Sequence, residues 1–235
     1  METLQQLSYV YQALHRYPEM AAVLDRALEI IPSDVDTRMA RAYLELEWRA
    51  DCRPLHTAIE ALLTTNPAAA QALAWWWVNL AFRERDATAV TRALVALPND
   101  SFGPGGIALN RTFGEGLLAR VRGDAAAASA AFALARTQQE EVVRAQLDYG
   151  PALSALALID AGLGRKEEAL RGGRRAIALL SIGQDSTIGP QMIECFAIIC
   201  AWIGEKDLAL QQLAIATKVP GRFLSYGQLK LHPFW

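Results

Sequence analysis

The chain has 235 residues, 52% of them apolar and 20% charged, which excludes a disordered polymer. A chain of this length buries roughly 70% of the surface its unfolded form exposes. Its formal charge is −2, with nine basic and thirteen acidic residues in 1–100 and fourteen and twelve in the remainder, so no part carries the basic footprint of a nucleic-acid binder.

Alanine and leucine recur at spacings of three and four and β-branched alternation is nearly absent, which predicts helix throughout. In residues 1–34, Leu4, Leu7, Ser8 and Tyr11 line one helix, Met20, Leu24 and Ala27 line a second, and Pro32 closes the pair. Pro32, Pro67 and Pro98 are 35 and 31 residues apart, and Gly123, Gly164 and Gly204 are 41 and 40 apart, periods that mean a repeat architecture. Six hairpins are expected, near 1–34, 35–67, 68–98, 107–145, 150–181 and 189–218. The fifth pairs Leu153, Leu156 and Ala157 with Ala169 and Ala176 across Gly164. The sixth pairs Ile193, Phe196, Ala197 and Cys200 with Ala209, Leu213 and Ala216 across Gly204. Glycine supplies the left-handed residue that ends a first helix. Residues 99–106 are a linker candidate inside a repeat domain expected over 1–218, and residues 219–235 are expected to pack on the last repeat through Phe223, Tyr226, Phe234 and Trp235.

These residues resemble the tetratricopeptide repeat family, with its large and small apolar residues on a first helix, a glycine turn, and alanines on a second helix ahead of a proline. The first, fifth and sixth hairpins match best. The second and third lack the turn glycine, and the fourth places Glu115 and Gly116 where large and small apolar residues are usual. The resemblance implies an all-α, right-handed solenoid of about six antiparallel helix–turn–helix repeats. The tail, Leu224 to Trp235, looks like the closing segment of repeat modules in larger bacterial signalling and regulatory proteins, which implies that the chain is a piece of something longer.

Signatures of catalysis are missing. No phosphate-binding GxxxxGK[ST] loop, GxSxG elbow or HExxH helix occurs, and no kinase HRD or DFG. His15, His56 and His232 lie far apart and suggest surface or packing roles, not a metal site. Cys52, Cys195 and Cys200 form no CxxC pair and read as small core residues in a reducing compartment. No cofactor and no metal are expected. Met1 to Met20 has no continuous apolar run of the signal-peptide kind, and the longest apolar stretches are too short or interrupted to span a bilayer. A soluble, cytoplasmic protein without membrane partners is the expectation. The basic run Arg165, Lys166, Arg171, Arg174 and Arg175 reads as a solvated helix face, and Gly172-Gly173 as a close approach of a neighbouring helix.

In proteins of the resembled family the first helices line a concave groove that receives a peptide or protein. Carried over by position, that surface would show Gln5, Tyr9 and Gln12, then Arg41, Leu44 and Trp48, then Gln71, Trp75 and Asn79. Further along come Asn110, Phe113, Leu117 and Arg120, then Ser154 and Leu158, then Gln191, Glu194 and Trp202. Trp75-Trp76-Trp77 sweeps about 200° of a helix, so the three cannot share a face. Trp77 is expected toward the partner helix, Trp76 toward an adjacent repeat and Trp75 toward the groove. The expected function is a non-enzymatic scaffold for a protein or peptide partner, anchored by Tyr9, Gln12, Arg41, Trp48, Trp75, Asn79, Phe113, Arg120, Glu194 and Trp202. Charge reversal at Arg41 and Arg120 is expected to weaken binding. Two further readings stay open: a regulatory fragment of a bacterial kinase, cyclase or transcriptional regulator, and a small-ligand binder or enzyme. Uncapped terminal repeats leave self-association open.

Overall fold

Residues 2–98, 101–103 and 106–235 are described by the computed structural model. The alanine- and leucine-rich stretches form six helical hairpins: α1 (Glu2–Ala13) with α2 (Tyr17–Ile30), α3 (Val35–Arg49) with α4 (Arg53–Thr65), and α5 (Ala70–Glu84) with α6 (Ala87–Ala96). Then come α7 (Arg111–Val121) with α8 (Ala125–Ala145), α9 (Gly150–Gly162) with α10 (Lys166–Leu179), and α11 (Gly189–Trp202) with α12 (Lys206–Ala216). A short helix, α13 (Tyr226–Leu231), follows, and two-residue strands β1 (Ser101–Phe102) and β2 (Leu109–Asn110) pair antiparallel ahead of α7. Pro18, Pro54, Pro151 and Pro190 all stand in first turns, where a missing N–H costs nothing. The fold is an all-α helical repeat.

The two- or three-residue turn inside every hairpin is the same device. His15, Ala50 and Arg85 (φ 54°, 56° and 56°) and Gly123, Gly164 and Gly204 (φ 75°, 72° and 82°) each take the left-handed conformation. The residue after the left-handed one then donates its N–H back into the helix, as from Arg16 to Tyr11 O, Asp86 to Ala81 O and Glu205 to Cys200 O. This satisfies carbonyls that the helix end would otherwise strand. The second and third hairpins thus lack the glycine but keep the turn, at the cost of a strained Cβ. Replacing His15, Ala50 and Arg85 by glycine is expected to stabilise the fold by about 0.5–1 kcal/mol each. Urea denaturation of the triple variant checks this; an unchanged or lower midpoint contradicts it.

Contact density divides the chain into two units, Met1–Ala96 with Pro220–His232, and Leu97–Val219 with Pro233–Trp235. The division falls beside the break expected at 99–106, of which Asn99, Asp100, Pro104 and Gly105 lie outside the described residues. In the first unit, Tyr17, Met20 and Leu24 of α2 pack on Leu44 of α3, flanked by Tyr11 and Trp48. In the second, Phe113 and Phe132 are buried with ring centroids 5.5 Å apart. Gly116 explains its own departure from the family pattern: a Cβ there would lie 2.7 Å from the Phe132 ring, and one on Gly162 would lie 3.0 Å from it. Gly172 and Gly173 have the same cause, since their Cβ atoms would meet Ala157 at 2.9 Å and Phe196 at 2.4 Å.

The tail departs from expectation. Pro220–His232 belongs to the first unit, not to the last repeat, and Tyr226 is exposed. Pro233–Trp235 belong to the second unit, and the Phe234 carbonyl accepts from Trp202 Nε1 of α11 at 2.8 Å. The physical reason is Gly227. It is buried so tightly on the Leu46 carbonyl of α3 that a Cβ would stand 1.8 Å from that oxygen.

Candidate functional site

The left-handed residues fix a common register for the first three hairpins. Three positions before each stand Gln12, Glu47 and Phe82 on the first helices α1, α3 and α5. Residues 221–232 run across this row. Gly221 N–H donates to Ala13 O at 3.0 Å, and Arg222 Nε donates to Gln12 Oε1 at 3.2 Å with its guanidinium 4.2 Å from the Tyr9 ring centroid. Gly227 rests on Leu46 and Glu47 of α3, and the His232 ring lies 6.4 Å from Phe82 of α5. Ser225 caps α13 by accepting the Gln228 N–H at 3.1 Å, which turns the extended segment into its single short helix. A peptide segment is therefore held along the first-helix face, five residues to each step: Arg222, Gly227, His232.

Under that segment lies a polar network. Gln12 Nε2 donates to Glu47 Oε2 at 2.8 Å, and Arg83 donates to Tyr43 Oη at 3.3 Å and to Asn79 Oδ1 at 3.0 Å. Glu47 is 2% exposed and Arg83 6%. Burial pushes the Glu47 carboxyl up to about 7, against the opposing pull of Gln12, Arg83, Arg222 and Tyr43. Burial, with Arg83 beside it, holds the His232 imidazole well below its usual 6.5.

The two groups act on stability with opposite sign. For Glu47 the folded chain keeps a proton that the unfolded chain has released, so stability falls as pH rises from about 4.5 to about 7, by about 3 kcal/mol. For His232 the unfolded chain takes up a proton first, so stability falls as pH drops below about 6.5. Glu47→Gln keeps an acceptor for Gln12 and removes the first effect. It is expected to raise stability near pH 8 by about 1–3 kcal/mol while keeping the His232 contribution on the acid side. Urea midpoints across pH 5 to 8 read this; a variant no more stable than the parent at pH 8 contradicts it.

The expected site residues distribute unevenly. Tyr9, Gln12, Trp75 and Asn79 do lie on the first-helix face. Gln12 is itself buried and bonded to Glu47 and Arg222, and Asn79 donates to Trp75 O at 2.8 Å. In the second hairpin the expected Trp48 is one residue off, since Glu47 stands at the position of Gln12 and Phe82, while Leu44 is in register with Tyr9 and Asn79 but turned into the core. Leu44 is fully buried against α2, and Trp48 stacks on Tyr17 at 6.0 Å. Arg41 pairs with Asp25 at 2.8 Å and Glu45 at 2.9 Å. Reversing its charge would break those pairs, so it is a poor probe of binding. Trp77 is buried below Arg92 of the partner helix α6, while Trp75 and Trp76 both reach Tyr43 of the adjacent hairpin, at 5.5 and 5.2 Å.

In the second unit Phe113 is 0% exposed, ringed by Phe102, Phe132, Trp202 and Phe234, and is a core residue, not an anchor. Glu194 is likewise buried, with Ser154, Leu158 and Gln191, because α9 and α11 are apolar nearly all round. Trp202 is half-buried and carries Arg120 over its ring at 4.2 Å.

Other chemistry is sparse among the described residues. His56 pairs with Glu84 at 3.0 Å on the surface, and no three His, Cys, Asp or Glu side chains gather where a metal could be held. Burial pushes Cys195 up to about 12 and Cys52 and Cys200 up to about 11, so none is a thiolate nucleophile at neutral pH. Three residues of the basic run are engaged in ion pairs, Arg165 with Glu168 at 2.8 Å, Arg175 with Asp148 at 2.8 Å, and Lys166 with Glu205. A cleft between β2 and α8 is lined by Asn110, Thr112, Gln138 and Gln139. There Thr112 is bonded to Gln138 at 3.1 Å, Gln139 to Ala152 O at 3.0 Å, and Asn110 caps α7. Among the described residues no helix is long and apolar enough to cross a membrane.

No protein-family model matches the chain, and no curated protein matches it. Among solved structures, the chain is similar to PilW, a widely conserved type IV pilus biogenesis factor, at 15% identity and a TM-score of 0.44 over 92% of both chains. It is also similar to TTC0263, a thermophilic TPR protein of Thermus thermophilus, at 20% identity and a TM-score of 0.36 over 93% of this chain and 90% of that one. The fold rests on the hairpins themselves: six first-and-second-helix pairs closed by one left-handed turn make this a tetratricopeptide-like helical-repeat protein.

Proposed function

We propose that the protein is a non-enzymatic scaffold that binds a peptide segment of a protein partner on the first-helix face of α1, α3 and α5. The observation that carries the reading is the path of residues 221–232, which cross Gln12, Glu47 and Phe82 in step with the hairpins. A surface that seats one peptide in register with its repeats has the geometry to seat another. Tyr9 is 40% exposed and Trp75 half-buried, so both stand at the margin of the seat, where aromatic side chains supply much of an interface's affinity. Three thiols without a disulfide suit the reducing, cytoplasmic setting that belongs to this reading.

A twelve-residue peptide library displayed against the full chain tests it. Selected peptides are expected to lose about tenfold or more in affinity to Tyr9→Ala and to Trp75→Ala, the usual scale for an aromatic anchor. Selection of nothing, or of peptides indifferent to both variants, overturns the reading.

A further inference from the structure

The seat is chemically graded along its length. At one end Arg222 lies between an aromatic face, Tyr9, and an amide oxygen, Gln12 Oε1, with the Glu47 carboxyl bonded to the same amide. In the middle, the Leu46 carbonyl stands so close to Gly227 that no Cβ can be accepted, and the Glu47 Cα would stand 3.1 Å from one. At the far end Phe82 lies beside an uncharged ring and Arg83 stands near it, which disfavours a cation there. The steps are equal, since Arg222, Gly227 and His232 are five residues apart.

From this grading we propose that the first-helix face is a three-part recognition site for a peptide bearing arginine, then glycine five residues on, then an uncharged aromatic or imidazole ring five residues further. The chain's own residues 222–232 hold the site as an exchangeable competitor. The inference rests on the peptide-binding reading above and names the chemistry of the partner.

Two features make the occupant exchangeable. Arg83 Nε on the face and Gln228 Oε1 of the tail are both buried with no hydrogen-bond partner among the described residues, so the tail leaves one of its own groups unpaired and leaves Arg83 Nε for another peptide to pair. The segment also secures its place with few buried apolar side chains: Leu224 is buried, whereas Tyr226 and Leu229 are exposed. A partner with the same three groups and a better fit between them displaces it. The site then opens only where such a partner is present, and the apparent affinity is lowered by the fraction of time the tail is bound.

The probe is a labelled peptide of residues 220–232, titrated into the full chain and read by fluorescence anisotropy. Gly227→Ala in the protein evicts the tail without touching the face. The variant is expected to bind the peptide about tenfold or more tightly than the parent chain, because the competitor is gone. The same peptide carrying alanine at its glycine is expected to lose binding to both. Should Gly227→Ala fold poorly, Arg222→Ala with His232→Ala removes two anchors and serves in its place. Equal affinity for parent and variant, or no binding to either variant, overturns the proposal. So does sedimentation showing that the parent chain pairs with itself through this segment, which would assign the site to a second copy. If the 220–232 peptide fails while library-selected peptides still depend on Tyr9 and Trp75, only this inference falls; if those fail as well, the peptide-binding reading falls with it.

Discussion

Phe113→Ala is expected to destabilise the chain by about 3–5 kcal/mol, the range for removing a fully buried aromatic side chain. Phe113 has 0% exposure and stands 5.5 Å from Phe132, 6.2 Å from Trp202 and 6.4 Å from both Phe102 and Phe234. The site cannot collapse easily to fill the void. Its walls are rings set by α7, α8, α11 and the chain end, and Phe132 is already held between Gly116 and Gly162. Phe113→Leu keeps most of the volume and is expected to cost well under half as much. Urea denaturation followed by tryptophan fluorescence separates the outcomes. A loss below about 1 kcal/mol would mean that the ring is not core, and would return it to the partner-binding role that its sequence position suggested.

Gly227→Ala has the largest expected effect on the first unit, and it is selective. The added Cβ would stand 1.8 Å from Leu46 O and 2.8 Å from the Leu46 carbonyl carbon, both backbone atoms that no rotamer change can clear. The segment must lift from the face. Lifting it admits water to Glu47 and Arg83, so the carboxyl returns toward its usual 4.5 and the pH dependence assigned to Glu47 shrinks with it. The hairpins themselves are held by other contacts, such as Tyr17, Met20 and Leu24 against Leu44, and are expected to remain folded. Limited proteolysis checks the first half of this: cleavage near Lys218, Arg222 and Lys230 should rise in the variant while α3 and α5 stay intact. Urea midpoints against pH check the second. A variant that keeps the parent's slope between about pH 5 and 7 would show that the tail does not bury Glu47.

Much of the fold was legible because glycine declares the turn. Gly123, Gly164 and Gly204 mark their hairpins outright, since only glycine takes positive φ without strain. His15, Ala50 and Arg85 adopt the same conformation without a glycine to declare it. Counting back from Ala50 places Glu47 beside Gln12, where the sequence without that turn points to Trp48; Leu44 keeps its register but is drawn into the core against α2. The site was less legible than the fold. Glu47 and Arg83 carry charges, which ordinarily predicts exposure, and their burial depends on Tyr43, on Gln12 and on a tail distant in sequence. Phe113 failed in the other direction. An aromatic on a first helix has the look of an anchor, and Phe102, Phe132, Trp202 and Phe234, none of them on its own helix, turn it into core.

Hydrogen exchange on the parent chain and on Gly227→Ala tests most directly whether residues 221–232 are an occupant of the first-helix face or a part of the fold. In the parent, the Gly221 N–H bonded to Ala13 O and the His232 N–H bonded to Gln228 O are expected to be protected. In the variant these amides are expected to exchange freely while the helical amides of α3 and α5 keep their protection, as befits a face that stands without its occupant. Loss of protection throughout α1 to α6 together with the tail would contradict the account, because the segment would then be a structural closure and not a bound peptide.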